Sequence, residues 1–388
     1  MADHPGPIRD FGHLAAKDGR EETPRRHGPR VLIDPLASVR RPKDPFVDVF
    51  CAGQVFFDIV FTGLEHIPRP GTEEWAPGMG SSPGGMANMA VAMRRLGLRT
   101  WLAAAFGDDM YGDYCWDTLA VQEDIDLTAS RRFRGWHSPV TVSVAHQHDR
   151  SMITHGHPAP QPLDQMIGSP PAVRACFAHL EIEEQSWVRH SYESGALVFA
   201  DLGWDDSGEW SREILRRLET CHVFLPNAEE AMALTRTDTP EAACSALSEH
   251  VPVVVVTRGD EGAIALDQLT GESADVRGLS VPAIDPTGAG DVFGAGFMVG
   301  QLAGWSLEER LRFANLCAAL SVQHFGGSLA APGWGEISAW WQHTVESGAG
   351  DGTLHEYAFL ADVLPGIALS PVRRAGATLG LRHHDETP

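Results

Sequence analysis

The chain has 388 residues, of which 43% are hydrophobic and 21% charged, so it is long enough to bury a sizeable core. Its formal net charge of −22 repels a nucleic-acid backbone, which excludes DNA or RNA as a general partner. Its apolar runs are shorter than the roughly 18 residues of a membrane span, and its polar start lacks a signal-like apolar stretch, so we expect a cytoplasmic protein.

The chain divides into a tail, a body and an extension. Residues 1–45 mix Pro, Gly, Arg and Asp without apolar periodicity, so we predict a poorly ordered N-terminal tail. Residues 46–345 have the patterns of one folded domain, and residues 346–388 form a C-terminal extension. The two lysines, Lys17 and Lys43, both lie in the tail. Mechanisms that need a core lysine, such as those of P-loop enzymes, protein kinases and Schiff-base enzymes, are therefore disfavoured.

Strand and helix patterns alternate along the body. PFVDVFCAG, TWLAAAFG, GALVFADLG, CHVFLPN and VPVVVVTRG predict strands, whereas ANMAVAMRRLG, WSREILRRLE, AEEAMALT and PEAACSALSEH predict helices. This alternation predicts an α/β fold with a mostly parallel sheet covered by helices on both faces. Residues 53–80 and 131–155 are β-leaning and partly alternating, so we predict a small separate sheet there. The six cysteines form no CxxC pair and are interpreted as reduced, buried thiols.

Residues 283–305, AIDPTGAGDVFGAGFMVGQLAGW, carry the strongest chemical signal. Gly288, Ala289 and Gly290 let the backbone approach a ligand, and the helix that follows points free N–H groups at an anion. Asp291 places a carboxylate beside this anion site, where it can accept the proton of an attacking hydroxyl during phosphoryl transfer. Two other interpretations stay open from the residues alone: a structural turn with Asp291 as helix cap, and a dinucleotide-binding GxGxxxG loop.

A second glycine cluster, SSPGGMANMAVAMRRLG, opens a predicted helix. Gly84 and Gly85 precede the helix and Asn88 lies on its first turn. The cluster is either a tight turn with a cap or a place where a polar ligand lies against the backbone, with Asn88 donating and accepting hydrogen bonds.

These two segments resemble the two signature motifs of the ribokinase-like (PfkB) carbohydrate kinase family, in the same order and at a fitting separation, over about residues 46–340. The resemblance implies a three-layer αβα sandwich whose small β-sheet lid closes over a sugar and can join two copies as a homodimer. It implies an ATP-dependent sugar kinase that uses Mg²⁺ and, in many members, K⁺. Asp291 would be the catalytic base, and Gly288, Ala289 and Gly290 the anion hole.

The resemblance also implies three sets of binding residues. The residues expected to bind the sugar are Asp58, Gly84, Gly85, Asn88 and Glu181. The residues expected to bind ATP are Asn227, Thr257, Arg258, Gly259, Gly262 and Asn315. The residues expected near metal ions are Glu230, which would hold Mg²⁺ through water, and Asp285 and Thr287, which would contribute to a monovalent-cation site. Phe56 stands where ribose-specific members have a polar side chain, which argues against ribose as the acceptor.

Other functions remain open at this point. A nucleoside kinase of the same family is the nearest alternative, and a sugar- or nucleotide-binding protein without turnover and an NAD(P)-dependent oxidoreductase are the others. The segment HQHDRSMITHGHP carries His146, His148, His155 and His157. We interpret it as a solvated face of the lid, because zinc binding would require these histidines to converge.

Overall fold

A computed structural model describes residues 33–64, 66–146, 149–203, 208, 210–348, 351–365 and 369–376 of the chain. Numbered along the chain, its strands are β1 (Val47–Ala52), β2 (Val55–Leu64), β3 (Gly78–Gly85), β4 (Thr100–Ala103), β5 (Ala105–Gly107), β6 (Arg131–Phe133), β7 (Val140–His146), β8 (Asp149–His155), β9 (Val173–Leu180), β10 (Leu197–Leu202), β11 (Val223–Phe224), β12 (Val253–Thr257), β13 (Ala263–Asp267) and β14 (Glu272–Val276).

The helices pack against these strands or extend beyond them. They are α1 (Met86–Arg95), α2 (Met110–Asp117), α3 (Leu163–Ile167), α4 (Ser186–Glu193), α5 (Ala228–Thr235), α6 (Pro240–Leu247), α7 (Ala289–Ala303), α8 (Leu307–Ser321), α9 (Trp334–Glu346), α10 (Asp351–Glu356) and α11 (Leu360–Val363). Within the described residues, every helix is too short or too polar to cross a bilayer.

An eight-stranded sheet forms the centre of the fold, in the order β14-β13-β12-β11-β10-β9-β1-β4. Neighbouring strands of this sheet pair in parallel along the run β4, β1, β9, β10, β11 and β12. At the other edge, β12 pairs antiparallel with β13, and β13 pairs antiparallel with β14. Alternate residues of β12 show the layering: Val253 and Val255 pack on the side of α1, α7 and α8, whereas Val254 and Val256 pack on the side of α4 to α6. The predicted α/β sandwich is confirmed.

A smaller sheet, which we call the lid, has the order β3-β2-β7-β8. Its two faces differ, because successive side chains of a strand point in opposite directions. On β2, Phe57 packs against Tyr111 and Tyr114, so Asp58 faces the other way. The lid strands fall mostly within the two segments that the sequence predicts as a separate sheet, although β3 continues to Gly85 and β6 pairs with β5 outside the lid.

Two predicted elements take a different form. The run TWLAAAFG is divided at Ala104, whose amide donates to Ser130 Oγ at 3.0 Å, and its second half turns away as β5. The predicted helix WSREILRRLE is the 3₁₀ helix Arg212–Thr220. Its buried residues Leu215 and Leu218 are three positions apart, which suits the three-residue turn of this tighter helix.

The folded domain begins before residue 46. Leu36 is fully buried in the core, and Arg40 bridges Asp34 and Asp48, with a 2.6 Å contact between Arg40 Nη1 and Asp48 Oδ1. Residues 33–45 therefore belong to the domain, although the sequence predicts them as part of a tail. The rest of that predicted tail, residues 1–32, lies outside the described residues.

A buried arginine joins α1 to distant parts of the chain. Arg95, at the end of α1, donates to both carboxylate oxygens of Glu123 at 2.9 and 3.1 Å. It also donates to the carbonyl oxygens of Leu329, Ala331 and Arg373. The side chains of Arg95 and Glu123 are at most 1% exposed, so this ion pair is shielded from solvent. We call Arg95 and its hydrogen-bond partners the buried anchor. The anchor fixes the loop after α8 and the C-terminal extension against α1.

We expect Arg95→Met to lower the free energy of unfolding by about 3–5 kcal/mol, because the substitution leaves the buried Glu123 carboxylate without its cation. Chemical denaturation measures this loss. Adding Glu123→Gln to Arg95→Met should restore part of the stability, because it removes the stranded charge.

The neighbouring residue of the same helix supplies the matched control. Arg94 pairs with Asp124, whose side chain is 82% exposed, so Arg94→Met should cost no more than about 1 kcal/mol. Equal losses for Arg94→Met and Arg95→Met would show that the buried anchor is not a special source of stability.

Candidate active site

The N-termini of α1 and α7 meet at one point, and Asp291 lies there. Asn88 Nδ2, on the first turn of α1, donates to Asp291 Oδ2 at 3.1 Å. Gly288 precedes α7 with a φ of 76°, and a Cβ atom at this position would lie 3.1 Å from Asn88 Cγ. Only glycine combines this left-handed backbone with so close a neighbour. The structure therefore brings together the two glycine-rich motifs that lie 200 residues apart, from Asn88 to Gly288.

The start of α7 is open to a ligand. Gly290 is exposed, and apart from its chain neighbours and the backbone of its own helix, no atom of the described residues lies within 4 Å of the Cβ position that a side chain would occupy. Gly288 and Ala289 are half-buried beside it. The first N–H groups of a helix have no partner within the helix and carry partial positive charge. Residues 288–290 therefore lie at this accessible helix start beside Asp291, and their role as an anion hole stays a prediction.

Asp58 comes from the lid and lies against Gly84. A Cβ atom at Gly84 would lie 1.8 Å from Asp58 Oδ2, so any larger residue at position 84 would displace the carboxylate. Burial and the charges of Asp285 and Asp291 raise the pKa of Asp58 to about 7. Burial also raises the pKa of Asp291 to about 6, although the hydrogen bond from Asn88 acts to lower it. The two carboxyl groups thus share one partly buried site and disfavour each other's ionisation.

Arg150 supplies positive charge to this site. The strand register aligns Asp58 with Thr141 and Thr141 with Thr154, and the two threonine hydroxyls lie 3.0 Å apart. Arg150 lies four residues before Thr154 on β8, so it is on the same lid face as Asp58. Its charge lowers the pKa of both Asp58 and Asp291, against the larger effect of burial.

Buried oxygen atoms without hydrogen-bond partners surround Gly327. A Cβ atom at Gly327 would lie 3.0 Å from Asn88 Oδ1 and 3.7 Å from Ser82 Oγ, and it would touch the Thr287 side chain at 3.5 Å. Asn88 Oδ1, Ser82 Oγ and Thr287 Oγ1 are all buried and accept or donate no hydrogen bond among the described residues. An unsatisfied buried polar group costs about 1–3 kcal/mol, so these three atoms form an unusual polar cluster beside the start of α7.

Asp285 fixes the backbone next to this group of buried oxygen atoms. It is almost fully buried, and its two oxygens accept from Thr287 N at 2.9 Å and Gly326 N at 3.1 Å. These bonds fix the turn before α7 to the glycine-rich loop after α8. The monovalent-cation role of Asp285 and Thr287 stays a prediction.

A second group of carboxylates lies near Asp291, on strands and helices of the main sheet. Asp201 lies near the end of β10, and burial together with the charges of Glu230 and Asp291 holds its pKa well above its ordinary value. Burial also raises the pKa of Glu230, although Asn227 donates a backbone N–H to Glu230 Oε2 at 2.9 Å. Mg²⁺ prefers oxygen ligands and would neutralise the mutual repulsion of these carboxylates.

The predicted nucleotide residues lie along the β11–β14 edge. Asn227 caps α5 and its backbone pairs with Thr257, which ends β12. Asn315 donates to the carbonyl oxygens of Val276 and Arg277, at 3.3 and 3.2 Å, and so holds the chain after β14.

The loop between β12 and β13 also depends on two glycines. Gly259 and Gly262 have φ values of 60° and 93°, and a Cβ atom at Gly262 would lie 2.1 Å from the Val276 carbonyl oxygen. Arg258 is engaged with Asp275 and Glu241, so in this structure its guanidinium group supports the loop. The roles of these residues in ATP binding stay predictions.

Glu181 is the predicted sugar ligand that the structure does not bring into the cluster. It is exposed after β9, and its pKa is raised by burial and by the charges of Asp164 and Glu183 rather than by Asp58 or Asp291. Its role in an acceptor pocket stays a prediction.

The sequence interpretation did not identify Arg150, Asp201 or Ser82 as site residues. Asp201 had a usable signal, since it ends the apolar run GALVFAD at the edge where ligands bind in such sheets. Arg150 and Ser82 had none, because their positions follow from the register of the lid strands.

Comparison with known proteins agrees with this geometry. Residues 48–333 match the model of the pfkB family carbohydrate kinases. The chain belongs to this family. It is 28% identical over 304 residues to a nucleoside kinase of Methanothermobacter thermautotrophicus. This match covers 74% of this chain and 94% of that protein.

Two further relatives illustrate the range of the family. The chain is 28% identical over 279 residues to a fructokinase of Escherichia coli, covering 64% of this chain and 89% of that protein. Among solved structures, a putative ribokinase II of E. coli in complex with ATP and Mg²⁺ superposes with a TM-score of 0.63 and 21% identity, over 77% of this chain and 100% of that one. The ribokinase-like fold predicted from the two motifs is therefore confirmed.

Proposed function

We propose that this chain transfers the γ-phosphoryl group of ATP to a hydroxyl of a sugar, with Asp291 as the general base. The observation that carries the proposal is the position of Asp291, which lies at the exposed N-terminus of α7 and accepts a hydrogen bond from Asn88 of α1. A carboxylate at a plain anion site would repel the ligand, whereas a base for the acceptor hydroxyl is needed at this place.

The residues divide the work between the two substrates. Asp58, Ser82 and Asn88 would orient the acceptor, and the N–H groups of residues 288–291 would stabilise negative charge on the phosphoryl group during transfer. Asp201 and Glu230 would hold Mg²⁺, directly or through water, and this ion supplies neutralising charge to the triphosphate when bound. The proton of the attacking hydroxyl goes to an oxygen of Asp291.

The acceptor is the less defined of the two substrates. The similarity to a nucleoside kinase supports a nucleoside as the second candidate, because the matched region spans nearly all of that protein. Arg150 on the acceptor side of the lid makes sugar acids and sugar phosphates worth testing beside neutral sugars. We further propose that the exposed residues Met152 and Ile153 on the edge strand β8 support a homodimer through the lid.

We expect ADP release from Mg-ATP in the presence of one acceptor class among ketohexoses, aldohexoses, pentoses, keto-deoxy sugar acids, sugar phosphates and nucleosides, each tested with and without K⁺. Activity on a sugar class supports the proposal, and activity confined to adenosine, inosine or pseudouridine supports the nucleoside alternative. A folded protein that binds a sugar without releasing ADP would instead be a binding protein without turnover.

We expect Asp291→Asn to lower kcat by about 10²–10⁴-fold, because the variant keeps the size of the side chain but cannot accept the proton. The KM values for both substrates should change much less, since the anion hole and the acceptor pocket remain. Asp238→Asn, an exposed aspartate between α5 and α6, is the matched control and should keep full turnover. Near-normal turnover of Asp291→Asn would contradict the assignment.

We expect kcat/KM for the acceptor to fall as the pH drops through about 6, because Asp291 must be ionised to act and burial raises its pKa to about 6. Arg150→Gln removes a positive charge that lowers the pKa of Asp291, so the acid limb of the profile should move to higher pH. Arg189, on α4, forms an exposed ion pair with Glu184. Arg189→Gln is the control and should leave the acid limb in place. An unchanged acid limb in Arg150→Gln would show that Arg150 does not influence the ionisation of the catalytic base.

A further inference from the structure

Three histidines converge where β8 ends, and none of them belongs to the site described above. His137 lies in the loop between β6 and β7, His155 ends β8, and His157 follows two residues later. Their ring centroids are 5.0 to 5.3 Å apart, and one ring nitrogen of each lies within 4.8 Å of the other two. His155 pairs with Val140, which pairs with Phe57, so His155 lies on the lid face opposite to Asp58.

The backbone holds these residues in place from both sides. Trp136 Nε1 donates to the Pro158 carbonyl oxygen at 3.1 Å, which joins the loop of His137 to the segment that contains His157. Ser138 is fixed in turn, since its amide donates to Asp109 Oδ2 at 2.7 Å and its hydroxyl accepts from Gly107 N at 2.9 Å. The three imidazoles therefore meet on a supported frame formed by two separate stretches of chain.

One of the rings is already oriented as a metal ligand would be. His137 Nδ1 lies 2.8 Å from the Ser138 carbonyl oxygen, a contact in which the ring N–H donates. This bond leaves His137 Nε2 as the lone-pair nitrogen. Histidines that bind metal ions usually donate their other ring N–H to a carbonyl or carboxylate oxygen in this way.

We propose that His137, His155 and His157 bind one transition-metal ion of the Zn²⁺ type at the end of β8. Zn–N bonds of about 2.0–2.1 Å place tetrahedral ligand nitrogens roughly 3.4 Å apart, a spacing that side-chain rotation reaches from the present one. Neutral imidazole selects Zn²⁺, Ni²⁺ or Cu²⁺ over Mg²⁺ and Ca²⁺, which prefer oxygen. The site is thus chemically distinct from the carboxylates proposed to hold Mg²⁺, and it stands whether or not the chain is a sugar kinase.

The bound ion would join the end of the β7–β8 hairpin to the loop that leads into β7. His155 and His157 are exposed and His137 half-buried, so water can complete the coordination. Because the other face of the same hairpin carries Arg150 and Thr154 beside Asp58, the ion would also fix the strand that faces the acceptor.

The test is a titration of metal-stripped, tag-free full-length protein with Zn²⁺ in competition with a chromophoric chelator. We expect the wild-type chain to bind one more equivalent than the triple variant His137→Ala, His155→Ala, His157→Ala. Each single substitution should weaken this equivalent by at least about 100-fold, since loss even of an outer-shell partner costs about 10–100-fold. Zn²⁺ should also raise the Tm of the wild type and not that of the triple variant.

His190→Ala is the matched control, because His190 is an exposed histidine on α4, remote in the chain from the three. It should keep the full stoichiometry and affinity. The triple variant retains the histidines of the chain ends, so binding there is counted equally in both proteins. Equal stoichiometry and affinity in the wild type and the triple variant, with matching melting curves in the absence of metal, would overturn the proposal.

Discussion

The close approach of α1 and α7 is the constraint on which the site depends. Asn88 reaches Asp291 because the two helices begin at the same point, and their separation is set by glycines on α7. A Cβ atom at Gly288, just before α7, would lie 3.1 Å from Asn88 Cγ, and one at Gly294, further along the same interface, would lie 2.9 Å from Met89 Cε. Gly288 and Gly294 therefore allow the two helices to pack closely where they begin.

The buried carboxylates of this strongly acidic chain have different partners. Asp285 accepts from two backbone N–H groups, which stabilise its carboxylate. Asp291 has the Asn88 amide and the start of a helix, and Asp58 has the charge of Arg150 at the same lid face. Asp58 and Asp291 still have raised pKa values, so the free site holds unbalanced charge that ligands and metal ions can relieve. This imbalance is typical of functional sites rather than of structural ion pairs.

The sequence predicted the parts of the molecule that depend on local chemistry. The order of strands and helices follows from apolar periodicity, and the turn at Gly288 follows from residues that are adjacent in the chain. Asp58 could be named only through the resemblance to a family, because nothing local distinguishes it from other strand aspartates. Arg150 and His137 could not be named at all. Their roles depend on strand register and on a loop that folds back, and a shift of one residue in β8 would move Arg150 to the opposite face.

The C-terminal extension brings residues from outside the matched region 48–333 into contact with β3 and with the loop that contains Gly327. The Gly376 carbonyl accepts from Ser81 N at 3.1 Å, next to Ser82 on β3, and so covers an edge of the lid that would otherwise expose unpaired backbone groups. A Cβ atom at Gly326 would lie 2.5 Å from Ala375 Cβ, so the extension also presses on the loop that contains Gly327. Arg95 holds the same extension through the Arg373 carbonyl. The surroundings of Ser82 and Gly327 therefore depend on the matched region and on a segment beyond it, so the proposed acceptor classes should be tested on protein that retains residues 369–376.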